Sequence, residues 1–200
     1  MRDVPAVLAL HYQNDVLHPD GKIRLGLGSE LQRNALLEAA GSLLEGARSR
    51  GWPIFHVRIA FRPDYANLPR NMPIMRRTVE VEAVRDGHWG SEFMAGLEPQ
   101  DNPSEFVITH TRISAFVGTS LTNLLRDRGV RRLLVGGVAT HSVVEGTVRD
   151  AADQGFDVCV ATDACAAADP RAHEAGLASM AHIATLSTVR EAMTTLENGV

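Results

Sequence analysis

Continuous apolar runs alternate along this chain with stretches in which apolar residues recur every three or four positions. AVLALHY (6–12) is apolar at successive positions until a histidine, His11, so it reads as a strand buried on both faces. The turn PDGKIRLGLG (19–28) follows. ELQRNALLEAAGSLLEGARSRG (30–51) then places Leu31, Ala35, Leu36, Ala39, Leu43 and Ala47 on one stripe, and Gly51 ends the helix. PIFHVRIAF (53–61) and EFVITH (105–110) read as strands, TSLTNLLRDRG (119–129) as a short helix. Three further pairs follow: strand 131–139 with helix 141–155, strand 157–165 with helix 169–183, and strand 184–189 with helix 190–198. Pro170 suits the first turn of its helix. The segment 62–104, rich in Pro, Asn, Arg and Gly, has no clear period, and loops that long are usually functional or form interfaces.

Strand–helix alternation of this kind predicts one α/β domain over 1–200, an open doubly wound parallel sheet covered by helices. In such sheets ligands bind outside the carboxyl ends of the strands. Three strands end in conspicuous polar groups: His11, His110 and the turn Ala139-Thr140-His141. No glycine-rich phosphate cradle follows any strand, which argues against a nucleotide cofactor. A net charge of −4, with the cations scattered and overwhelmingly Arg, gives no reason to expect nucleic acid or an acidic membrane as partner. No apolar run approaches the roughly 20 residues that span a bilayer. The cysteines, Cys159 and Cys165, stand close together, which fits a reducing, cytoplasmic setting better than a disulfide framework.

Several segments, in order, carry a specific resemblance: QND (13–15), HVRIAFRPDY (56–65), HWGSEF (88–93), HTRISAFVGTSL (110–121), GVATHSVVEGTVRDAADQGF (137–156) and DACAAADPRAH (163–173). The chain resembles the isochorismatase-like, nicotinamidase-related cysteine hydrolase superfamily. That resemblance implies a three-layer α/β sandwich on a six-stranded parallel sheet of order 3-2-1-4-5-6. Typical members hydrolyse amides with an Asp ending the first strand, a Lys in K-x-R-x-S-A-F, and a nucleophilic Cys opening a helix. Carried over, these positions are His11, His110 and Val143 in this chain. The family's metal-binding Asp-x-His falls on Ala60 and Arg62, so no metal is expected there. The resemblance also implies a cis peptide between Val138 and Ala139, an oxyanion site formed by the Ala139 and Val143 amides beside Thr140, and a pocket lined by Phe116.

These substitutions support a small-molecule hydrolase that works without cysteine. His11 would act as general acid or base and His110 would orient substrate or water, acting on a vinyl ether or an amide. Activity would fall below about pH 6, where imidazoles protonate. The alternative is an inactive member, a small-molecule binder or structural subunit, with Val143, Trp89 or Phe116 plugging the pocket. A third possibility gathers His11, His110 and His141 on a metal ion. Ser142, one step along the helix from Val143, is expected to aim elsewhere. Trp89, Met72, Met75 and Phe93 in the irregular segment predict a homo-oligomer, a dimer or larger.

Overall fold

The computed structural model describes residues 4–23 and 29–198; residues 24–28 of the predicted glycine-rich turn lie outside them. At the centre is strand β1 (Ala6–Leu10), flanked by β2 (Ile54–Ile59) and β4 (Arg132–Val138). Strand β3 (Glu105–His110) extends the β2 side, while β5 (Asp157–Ala166) and β6 (Thr185–Ser187) extend the other. All pairings are parallel, as the strand–helix alternation predicts, and the order is 3-2-1-4-5-6, as the resemblance implies.

The unbroken apolar character of β1 has a direct cause. Ala6, Leu8 and Leu10 enter one core, with Leu121 and Leu125 of helix α4 (Leu121–Asp127) and Val148 and Ala151 of α5 (Glu145–Asp153). Val7 and Ala9 enter the other, with helix α2 (Glu30–Ser49) and α7 (Val189–Asn198). Ser29 caps α2 by accepting from the Gln32 amide at 3.2 Å. The buried stripe of α2 runs from Leu36 to Ala47, and Leu31 is exposed. At Gly136 in β4 a Cβ would come within 2.7 Å of the Tyr12 hydroxyl and 2.8 Å of Leu43, so only glycine admits this approach of helix to sheet. The Tyr12 hydroxyl in turn donates to the Ala164 carbonyl at 2.6 Å.

Several elements depart from the sequence reading. A one-turn helix, α1 (Asn14–Leu17), follows β1 where only a turn was expected. The helix expected over 141–155 opens as a π turn, Thr140–Val144, before α5 begins. The irregular segment holds a helix, α3 (Pro73–Glu80), and a single 3-10 turn at Trp89–Ser91. It also builds its own small core from Phe61, Tyr65, Leu68, Met75, Ala83 and Val84. Met75 is therefore covered within the chain rather than left for a partner, while Ile74 and Trp89 stay exposed. Among the described residues no helix is long and apolar enough to cross a membrane.

Candidate active site

The two histidines ending β1 and β3 meet. His11 leaves β1 with φ +58°, a left-handed conformation uncommon for a non-glycine residue and a frequent mark of functional positions. Its Nε2 lies 2.5 Å from His110 Nε2, with ring centroids 4.8 Å apart, and both rings are buried. The other His110 nitrogen, Nδ1, lies 3.2 Å from the Ser114 carbonyl. A carbonyl only accepts, so His110 Nδ1 carries the proton and His110 Nε2 presents its lone pair. His11 Nε2 must then donate, which leaves the lone pair of His11 on Nδ1.

Burial disfavours the charged form of each ring. It holds His11 well below the usual imidazole range, with repulsion from His110 adding to the effect. His110 is pushed down to about 4 by burial, against the opposing bond to Ser114. Titration near pH 6, expected from the sequence, is thus displaced to lower pH, because an exposed histidine was the wrong reference for this pair.

His11 lines an apolar cavity of about 130 Å³; His110, expected to share it, is not among the lining residues and reaches it only through its bond to His11. Ala139 and Val143 also line the cavity, and the Val138–Ala139 peptide is cis, as expected. The Ala139 carbonyl accepts from Ser142 at 3.1 Å and from Val144 at 3.3 Å, the amides on either side of Val143. Thr140 is fully buried and its hydroxyl bonds His173 Nδ1 at 2.8 Å. His173 belongs to helix α6 (Pro170–Met180), so α6 braces this turn.

Other expectations need correction. Ser142 and His141 both line the cavity, since a π turn spaces its side chains differently from the α-helix assumed for them. Phe116 is absent from the lining; it sits in the core, 6.1 Å from Phe156. Trp89 is also absent from the lining and plugs nothing; it lies 46% exposed with its ring edge-on to His18. Among the described residues His141 does not join His11 and His110 in a group able to hold a metal. Ala60 offers no ligand atom and Arg62 is a cation paired with Asp64, so these residues do not fit the family's metal. Cys159 and Cys165 are buried, their thiols pushed up to about 11 and about 12, and neither lines this cavity.

The far wall of the cavity comes from residues the sequence did not reveal: Ile74, Met75 and Thr78 of α3, with Val84 beyond it. The QND motif holds that wall in place. Gln13 donates to the Ile59 and Ser91 carbonyls at 3.0 and 2.9 Å and accepts from the Ile59 amide at 2.9 Å. Asn14 donates to the Trp89 carbonyl at 2.9 Å. The Asp15 carboxylate accepts from the Val84 amide at 2.6 Å and the Lys22 amide at 3.0 Å. His56, midway along β2, is engaged by Glu105 at 2.8 Å and does not line the cavity.

An Isochorismatase domain model matches residues 5–191. A probable inactive nicotinamidase from Arabidopsis thaliana is 31% identical over 89% of this chain and 88% of its own length. A ureidoacrylate amidohydrolase from Caulobacter segnis is 28% identical over 72% of this chain and 65% of its own. Among solved structures, an isochorismatase family protein from Desulfovibrio vulgaris superposes with a TM-score of 0.84 at 32% identity, covering 98% of each chain.

Proposed function

The chain belongs to the isochorismatase family, and from that premise we propose that it is a small-molecule hydrolase in which His11, not a cysteine, handles the proton. The observation that carries this reading is the oriented pair. Ser114 fixes the His110 tautomer, His110 fixes His11, and His11 is the ring that lines the cavity. A base oriented by a second group, itself oriented by a third, is the arrangement general acid–base catalysis requires.

For an amide, His11 Nδ1 takes a proton from water as the water oxygen bonds to the carbonyl carbon. The oxyanion so formed is met by the Ala139 and Val143 amides. The C–N bond then breaks, and the proton on His11 passes to the leaving nitrogen. For a vinyl ether, protonated His11 delivers its proton to the vinyl carbon, water adds to the resulting oxocarbenium carbon and returns a proton to His11, and the hemiacetal collapses to alcohol and carbonyl. Val143 supplies no nucleophile, so in this reading water attacks directly. The two buried thiols support a reducing, cytoplasmic setting.

The test is hydrolysis of a panel of small amides and vinyl ethers followed by proton NMR. His11→Ala should reduce turnover by about 10²–10⁴-fold, the usual worth of a general acid–base group, with its melting transition retained. Iodoacetamide treatment should leave the wild-type rate unchanged. Native turnover by His11→Ala refutes the assignment. A second reading, an inactive family member that binds without turnover, draws support from the Arabidopsis relative described as a probable inactive nicotinamidase. It would be favoured if the panel binds and nothing is hydrolysed.

A further inference from the structure

We propose that the substrate of this cavity carries a carboxylate and that Arg112 is the residue that selects it. This rests on the reading of the cavity as the substrate site and goes further, to the chemical class of its occupant. The walls are mostly aliphatic, contributed among others by Ile23, Ile59, Ile113 and Val138. Against that background Arg112 carries the only permanent charge among the described lining residues, and no Asp or Glu joins it.

Among the described residues the guanidinium is bonded through Nη1 alone. Both of its recorded bonds leave from Nη1, to the Thr111 carbonyl at 3.1 Å and the Thr111 hydroxyl at 2.9 Å. Among the described residues no carboxylate lies within 4.0 Å of it as an ion-pair partner. Nε and Nη2 therefore remain available as a fork toward a bidentate oxyanion, and the small, mostly aliphatic cavity favours a carboxylate on an apolar body. The two bonds to Thr111 hold the group half-buried at the cavity, which limits the side-chain entropy lost on binding. A neutral His11 adds no second positive charge, so a monoanion balances the site. The predicted occupant is a small, largely aliphatic or aromatic monocarboxylate whose scissile group reaches His11.

The test uses matched probes and needs no turnover: isobutyrate, isovalerate and benzoate against their primary amides, by calorimetry and thermal shift on the full chain. At least one carboxylate should bind about 10-fold or more tighter than its amide, since a charge-assisted pair replaces a neutral contact. Arg112→Gln should erase that preference, and Arg112→Lys should restore part of it. Circular dichroism of each variant establishes that it is folded, and the Lys variant keeps the test decisive if the Gln variant is unstable. Equal binding of acids and amides overturns the proposal. So does unchanged carboxylate binding in Arg112→Gln, or no carboxylate binding up to about 10 mM. If carboxylates bind through Arg112 but His11→Ala leaves turnover intact, the catalytic reading fails and this one stands; loss of turnover in His11→Ala without carboxylate preference gives the reverse.

Discussion

Replacing Gly90 with Ala should destabilise the protein by an amount set by a single buried carboxylate. A Cβ built at Gly90 would lie 2.1 Å from Asp15 Oδ2 and 2.3 Å from its carboxyl carbon, so the carboxylate has to move. Elsewhere a side-chain end could swing aside at little cost, but Asp15 is 3% exposed and held by two backbone amides, Val84 at 2.6 Å and Lys22 at 3.0 Å. Hydrogen bonds to a charged acceptor contribute about 1.5–3 kcal/mol each. Losing both, with partial relaxation, gives about 3 kcal/mol. For a chain of this size each kcal/mol moves the melting temperature by about 2–4 °C, so a fall of about 6–12 °C is expected by circular dichroism. Gly41→Ala is the control: nothing lies within 4 Å of its added Cβ, and in the interior of α2 it should be neutral or stabilising by up to about 1 kcal/mol. Because Val84 lines the cavity, Gly90→Ala should also weaken ligand binding. A melting temperature within about 2 °C of wild type would show that the carboxylate yields freely and that the motif does not fix the wall.

Two pH dependences follow from the buried imidazoles. Unfolded histidine titrates near 6.5, whereas burial holds His110 at about 4, so as pH falls between these values the unfolded chain takes up a proton the folded chain refuses. Stability is full above about 6.5 and should decline by up to about 1.4 kcal/mol per pH unit below it, with His11 adding in the same direction; urea titrations should show a shallower slope in His110→Asn, and an unchanged slope would refute this. The pH–rate profile separates the two chemistries: base-assisted amide hydrolysis should hold its rate down to the depressed titration of the pair, whereas acid-assisted vinyl-ether hydrolysis should lose about tenfold per unit above it. A plateau breaking near pH 6.5 would contradict the buried geometry for either.

The sheet was legible because physical necessity writes it into the sequence. A central parallel strand is covered on both faces, so β1 is apolar at every position, and the polar residue that ends it marks the carboxyl edge where ligands bind. The meeting of His11 and His110 was legible through the resemblance rather than the pattern, since alternation alone does not set β2 between β1 and β3. The opposite wall had no such signature. Helix α3 is only eight residues long, and its interior contacts, Met75 and Thr78, are too few to stand out as a period beside Pro73 and two arginines. Nor could the tautomers be read from sequence: they depend on the Ser114 carbonyl, a backbone atom whose side chain gives no hint of its role. The distinction has a chemical consequence. With His110 as a neutral acceptor rather than a carboxylate, the cation formed on His11 gains a hydrogen bond but no opposite charge. His11 is therefore a weaker base and a stronger acid than an imidazole backed by aspartate. A proton placed on it is readily given away, which suits a site that must protonate a leaving nitrogen or a vinyl carbon more than one that must hold a charge.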